Sequence, residues 1–376
     1  MKYFHLLFAL LPLTALSQQT LEGSITHDGL ERTYILFVPS TYEPGNPAPL
    51  VLNFHGYTSN NFEQMLYGDF RAIADTAGFL VVHPMGTIDL LGNPHWNVGW
   101  GSSTVDDVGF ASALIDSLSA QYTIDQERIY STGMSNGGFF SYKLACELSH
   151  RIAAIASVTG TMNVGQSATC NPSHPMPVME IHGTADDVVA YEGNLFFAST
   201  PSVVDFWAQK NDCSTPPSFN AIPDTDQSDA CTAEHYLYSD GNNGATVEHF
   251  KIIGGAHTWP GTAFGGAGTN QDINASAEIW RFFSQYDIHG LINTTTIEQL
   301  SSIRQVIAFP NPVDQVLTVD ITAGIQLNYI LSTSVGQTVR EGRFNAGMNQ
   351  LDLAWLIPGI YFLNIGQQTI KVVKSE

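Results

Sequence analysis

The sequence predicts a two-part chain: an α/β domain on a doubly wound, mostly parallel sheet, followed by a small β-sandwich. Three observations carry this. Apolar runs of strand length alternate with helix-length segments up to about residue 290; a polar stretch then breaks the rhythm; beyond it the pattern becomes period-two alternation between Gly and Asn turns.

The strand-like runs fall at residues 34–38, 50–54, 79–82, 128–131, 154–158 and 177–181. Their near-continuous apolar character suits strands covered on both faces. Between them, Phe110, Leu114, Ile115 and Leu118 share one helical face, as do Ile279, Phe282 and Phe283 beside Trp280. Asn293 to Thr296 and Ser301-Ser302 read as a linker, and runs at 316–319 and 360–365 open the second pattern. The expected organisation is a leader over 1–17, a first domain over 18–290, a linker over 291–305 and a β-sandwich over 306–376.

The leader reads as a signal peptide. Lys2 supplies the positive start, Phe4 to Leu13 is nearly all apolar, and Ala15-Leu16-Ser17 offers small residues for cleavage. That run is too short to span a bilayer, and no later stretch reaches the ~20 apolar residues a spanning helix requires. Lys plus Arg number 14 against 35 Asp plus Glu, a net charge of −21, so nucleic acid and anionic membranes would be repelled. Export lets the four cysteines pair. Cys146 with Cys170 and Cys213 with Cys231 close the shortest loops and are the expected bridges.

Chemistry concentrates around Gly133-Met134-Ser135-Asn136-Gly137, a GxSxG sequence between a strand run and a helix-compatible stretch. A serine on such a turn projects its Oγ, the glycines admit close backbone neighbours, and the helix N-terminus favours developing negative charge. A serine hydroxyl is a weak nucleophile, so it needs a histidine base, and the base needs an orienting carboxylate. Chain order places both downstream. Asp186 and Asp187 follow the run at 177–181, and residue patterning alone does not separate them; His257 lies in the loop after Ile252-Ile253. The oxyanion donors are expected from the backbone N–H groups of Asn136 and Tyr57, with Thr58 as the substitute for Tyr57. His55, His83 and His182 at strand ends read as satisfied core residues. Asp106-Asp107 reads as a helix cap or loop brace. Without an HExxH or CxxC spacing no metal is expected, and acyl transfer by such residues implies no organic cofactor.

Six ordered segments are similar to the secreted esterase family that includes feruloyl esterases and polyhydroxybutyrate depolymerases: His55-Gly56, Trp96-Asn97, Asp106 to Phe110, Gly133 to Gly138, His182 to Asp186, and His257 to Pro260. The resemblance spans about Leu21 to Tyr286. It implies an α/β-hydrolase fold and a triad of Ser135, Asp186 and His257, favouring Asp186 over Asp187. Tyr57 stands where family members often have cysteine, and Ala256 where glycine is frequent. Trp96, Trp100 and Trp259 are expected to stack on a phenolic or sugar ring, loop packing being the alternative. The tail motifs Phe309 to Val313, Leu356 to Phe362 and Lys371 to Lys374 resemble the C-terminal sorting domain of type IX secretion. That resemblance implies the secretion machinery as partner and an extracellular or cell-surface location.

The expected activity is therefore ester hydrolysis on a polymer-linked substrate, with feruloyl or related acyl esters of plant polysaccharide first and polyhydroxybutyrate second. A serine peptidase and a non-catalytic surface binding protein are the less favoured readings.

Overall fold

The structure, a computed structural model, describes residues 18–101, 103–292, 306–321, 327–333, 337–345, 347–365 and 368–375. The leader at 1–17 and most of the expected linker lie outside the described residues. The chain divides into two compact units, Met1–Ile292 and Asn293–Glu376.

The first unit runs β1 (Gln19–His27), β2 (Leu30–Val38), β3 (Ala48–Phe54), α1 (Asn61–Tyr67), α2 (Arg71–Ala77), β4 (Leu80–Pro84), β5 (Thr87–Ile88), β6 (Pro94–His95), α3 (Asp107–Ser119), β7 (Ile124–Met134) and α4 (Asn136–Glu147). It continues with β8 (Ala154–Val158), β9 (Val178–Gly183), α5 (Thr200–Lys210), β10 (Ser218–Ala221), β11 (Thr232–Tyr238), β12 (Val247–Ile253), α6 (Ala275–Phe283) and a hairpin of β13 (Tyr286–Asp287) and β14 (Gly290–Leu291). Ten strands form one sheet in the order β1-β2-β4-β3-β7-β8-β9-β12-β11-β10. The centre from β4 to β12 is parallel, whereas the two strands at each edge pair antiparallel. This is the α/β-hydrolase architecture.

Period-two geometry explains why the central runs are apolar throughout. Leu50, Leu52 and Phe54 of β3 join the core beneath α3, α4 and α5, while Val51 joins the opposite core with Ile279, Phe282 and Phe283 of α6. Helices α1, α3, α5 and α6 each begin where the side chain of the N-cap residue satisfies an orphan amide. Asp106 Oδ1 accepts from Gly109 N at 2.8 Å to cap α3, and Asn274 Oδ1 accepts from Ala277 N at 2.9 Å to cap α6. Asp107 is buried instead: Oδ1 lies 2.7 Å from Arg32 Nη2, and Oδ2 accepts from Asn97 N at 2.7 Å. It braces the loop that leads from β6 into α3.

One expected bridge forms, between Cys146 and Cys170. The other does not, and Cys213 and Cys231 are free thiols. Loop length was a poor guide because a strand separates them. Cys231 directly precedes β11, whereas Cys213 lies past its far end, where Ser214 N donates to Ser239 O at 2.8 Å. A seven-residue strand holds its ends roughly 20 Å apart, far beyond the ~7 Å that a disulfide's Cα atoms tolerate.

The second unit contains β15 (Val306–Phe309), β16 (Val316–Ile321), β17 (Leu327–Thr333), β18 (Thr338–Phe344), β19 (Gly347–Asp352), β20 (Gly359–Ile365) and β21 (Gln368–Lys374). They form two antiparallel sheets, β15-β16-β19 and β18-β17-β20-β21. Alternating residues such as Leu317 and Val319 from one sheet and Leu331 and Leu363 from the other fill a common core, which makes the unit a sandwich. Among the described residues, no helix is long and apolar enough to cross a membrane.

Candidate active site

The candidate residues gather beyond the carboxyl ends of neighbouring parallel strands, where open α/β sheets leave a crevice. Tyr57 follows β3, Ser135 follows β7, Asp186 follows β9 and His257 follows β12. Sequence order is scattered, but strand order makes them neighbours.

Ser135 occupies a sharp elbow between β7 and α4, with φ 54° and ψ −119°. A non-glycine residue there is strained, and the surrounding backbone holds it. Ser135 N donates to Val158 O at 2.8 Å, and Ser135 O accepts from Phe139 N at 2.9 Å. The two motif glycines are required by close approach. A Cβ on Gly133 or Gly137 would lie 2.5 or 2.1 Å from Phe54 O.

The loop after β3 is pressed against the same serine: a Cβ on Gly56 would meet Ser135 Cβ at 3.4 Å. Thr58, at φ 68°, turns the chain, and its N–H donates to Pro94 O at 3.0 Å. That amide is thus committed, which leaves Tyr57 as the oxyanion candidate of the pair. Asn136 begins α4, so its N–H has no partner within the helix. Its side chain is clamped to Trp96, accepting from the Trp96 N–H at 2.7 Å and donating to the Trp96 carbonyl at 3.2 Å. His55 steadies the loop from below: Nε2 accepts from Gly86 N at 2.9 Å and Nδ1 donates to Gly56 O at 2.7 Å. Burial pushes His55 down to about 4, so it is neutral at pH 7.

Asp186 Oδ2 lies 2.7 Å from His257 Nδ1. Asp186 is buried and Asp187 exposed. Oδ1 of Asp186 accepts from Val188 N at 2.9 Å and Val189 N at 2.8 Å, which fixes its rotamer. Burial opposes its charge, but hydrogen bonds from His182 and His257, the His257 charge and the Val189 N–H hold the carboxyl well below the usual range.

His182 is the residue whose part in the site sequence reasoning missed. It is buried and satisfied as expected, yet one neighbour is Asp186, with Oδ2 3.5 Å from His182 Nε2. The available signal was Glu180-x-His182 on an apolar strand, two polar side chains on one face of a buried sheet. His83 is buried with no hydrogen-bond partner on either nitrogen among the described residues, and burial pushes it down to about 3.

Ser135 and Asn136 open into a cleft of about 710 Å³ with apolar walls that include Ile88, Leu90, Leu91, Trp100, Val188 and Phe197. The three tryptophans part company here. Trp100 lines the cleft half-exposed, edge-on to Phe139 at 4.6 Å. Trp96 reaches it only at the floor, because its ring stacks on Phe110 and Phe140 in the core. Trp259 does not line it: the indole is buried against Phe70 and donates to Ser276 Oγ at 3.2 Å, so its expected substrate role is corrected to packing. Tyr57 O–H donates to Asp89 Oδ2 at 2.7 Å, which ties the loop after β3 to the β5–β6 hairpin. Among the described residues, His27, Asp28 and Asp106 bring candidate cation ligands within 4.8 Å of one another, at the start of α3 and not beside Ser135.

Comparison with known proteins adds independent findings. Residues 32–208 match the family model described as esterase PHB depolymerase, and residues 307–375 match the secretion system C-terminal sorting domain. The first match includes Ser135 and Asp186 and ends before His257. A bifunctional acetylxylan esterase/xylanase of Neocallimastix patriciarum is 28% identical over 282 residues, covering 74% of this chain and 36% of that protein. Feruloyl esterase B of Piromyces equi is 27% identical over 259 residues, covering 68% of this chain and 46% of that protein. The chain thus spans less than half the length of these two relatives. An acetyl xylan esterase from Aspergillus awamori superposes with a TM-score of 0.51 at 15% identity, covering 70% of this chain and 99% of that one, which is a likeness of fold.

Proposed function

We propose that this chain, whose residues 32–208 match the esterase PHB depolymerase family and whose tail matches a secretion sorting domain, is an exported serine carboxylic-ester hydrolase. The observation that carries the reading is the 2.7 Å pair of Asp186 and His257 in the crevice that also holds the strained elbow of Ser135. Asp186 accepts the Nδ1–H of His257, which leaves Nε2 as the base for the Ser135 hydroxyl. Ser135 Oγ attacks the ester carbonyl, and the Tyr57 and Asn136 amides receive the oxyanion beside the positive end of α4. His257 then protonates the departing alcohol. Water, deprotonated by His257, cleaves the acyl-enzyme and releases the acid.

For substrate, the wide apolar cleft with the half-exposed Trp100 favours a bulky aryl acyl group, such as a feruloyl ester on plant polysaccharide. Polyhydroxybutyrate is the second reading, supported by the family match. The sorting domain, with the leader at 1–17, supports export through type IX secretion to the surface or beyond it. Initial rates on methyl ferulate, p-nitrophenyl butyrate and a hydroxybutyrate trimer, for wild type and Ser135→Ala, test mechanism and substrate together. Preference for ferulate, lost in the variant, is expected. Preference for the trimer moves the reading to depolymerase, and equal rates in wild type and variant would overturn it.

A further inference from the structure

Behind Asp186 lies a buried polar chain that the mechanism above does not use. His182 Nδ1 lies 2.8 Å from Glu180 Oε1, and Nε2 lies 2.8 Å from Val189 O and 3.5 Å from Asp186 Oδ2. Glu180 Oε2 in turn accepts from Tyr142 O–H at 2.7 Å. Every group facing the ring nitrogens is an oxygen. A carbonyl can only accept, and so can an ionised carboxylate; burial pushes the Glu180 carboxyl up while the His182 and Tyr142 bonds favour its ion, and with Glu180 ionised both ring nitrogens donate.

We propose that His182 is a positioning residue of the reaction, held as an imidazolium between Glu180 and Asp186, where it fixes the Asp186 carboxylate and competes with His257 for Oδ2. The inference rests on the ester-hydrolase reading of Ser135. The charged and titratable neighbours of His182 come from four elements. They are Tyr142 on α4, Glu180 on β9, Asp186 and Tyr191 in the loop after β9, and His249 and Lys251 on β12. His249 adds no charge: Nδ1 donates to Glu180 O at 3.0 Å, Nε2 accepts from Tyr191 O–H at 2.9 Å, and burial pushes it down to about 3. Lys251 pairs in register with His182, with Nζ 5.6 Å over the Tyr191 ring. Burial also opposes charge on His182, but Asp186 and Glu180 outweigh it and push His182 up to about 9.

The arrangement has a direction. An imidazolium beside Asp186 offsets part of the negative charge that this carboxylate presents to His257. In Glu180→Gln one of the two carboxylates that keep His182 charged is gone while the shape is kept. The acidic limb of kcat/KM, set by protonation of His257, should then move up by about one pH unit, with KM at the plateau changed less than about twofold. Loss of packing alone would lower kcat without moving the limb.

The test is the pH–rate profile of the full chain in wild type and Glu180→Gln, together with ¹⁵N NMR of the histidine-labelled wild type, which does not depend on a variant folding. Expected are an upward shift of the acidic limb and a His182 ring with protons on both nitrogens at pH 7.5. A bare ring nitrogen at that pH, or an unmoved limb in a folded Glu180→Gln, would overturn the proposal while leaving Ser135 and His257 in place. Full activity in Ser135→Ala would instead overturn the ester-hydrolase reading, and this inference with it.

Discussion

The floor of the cleft and its rim are built on different principles. At the floor, backbone meets backbone around Gly133 and Gly137, and Asp186 is fixed by two amides and faces two imidazoles. At the rim, Leu90 and Leu91 are 92% and 81% exposed on the β5–β6 hairpin, whose turn is closed by Asp89 accepting from Leu91 N and Asn93 N. Geometry that cannot relax is where bond-making groups can be held. Side chains with little around them are where selectivity can change without unfolding the protein.

The comparison breaks first if floor substitutions are mild. Ser135→Ala should lower kcat by about 10⁵-fold with the fold intact, and Asp186→Asn by about 10⁴-fold, measured as single-turnover rates on an activated ester. Gly137→Ala has no room, because its Cβ would meet Phe54 O at 2.1 Å. A loss of about 3 kcal/mol or more in urea melts is expected.

Protonation adds a second contrast, among the buried histidines. His55, His83 and His249 are depressed by burial to about 4, 3 and 3. Their folded values lie below the unfolded one, so the unfolded chain binds the protons more readily. Their contribution is complete above about pH 6.5 and fades as pH falls toward 4 and 3. His182, raised to about 9, has the opposite sign, and its contribution fades as pH climbs from about 6.5 through 9. Urea midpoints at pH 4.5, 7 and 9.5 should therefore fall on both sides of neutrality. His83→Leu should flatten the acid side alone, and no change in that slope would contradict the role given to burial.

The smallest effect belongs to the rim. Replacing Leu90 and Leu91 together by Ser should raise KM for aryl or polymeric esters by about tenfold, with kcat changed less than about twofold and the melt unchanged. A collapse of kcat would show that the hairpin, through Asp89 and Tyr57, belongs with the floor.

Much of the floor was legible in the sequence, since each part is a short local signal. The apolar run at 50–54 became β3, and GxSxG after a strand became the elbow at Ser135. The resemblance chose Asp186 over Asp187 before burial separated them. What stayed hidden depends on neighbours distant in sequence. Trp259 looks like a loop aromatic until Phe70 and Ser276 close around it. Cys213 and Cys231 look adjacent until β11 holds them apart. The edge strand β1 escaped notice because its residues face solvent and carry no apolar run. The charge on His182 needs Glu180, Val189 and Asp186 all in place around one ring.

The most direct test of the central claim is peptide mapping by mass spectrometry after reaction with a fluorophosphonate, in wild type and His257→Ala. A single adduct on Ser135, formed far more slowly without His257, is the expected result. An adduct on another serine, or labelling of Ser135 at an equal rate in His257→Ala, would contradict it.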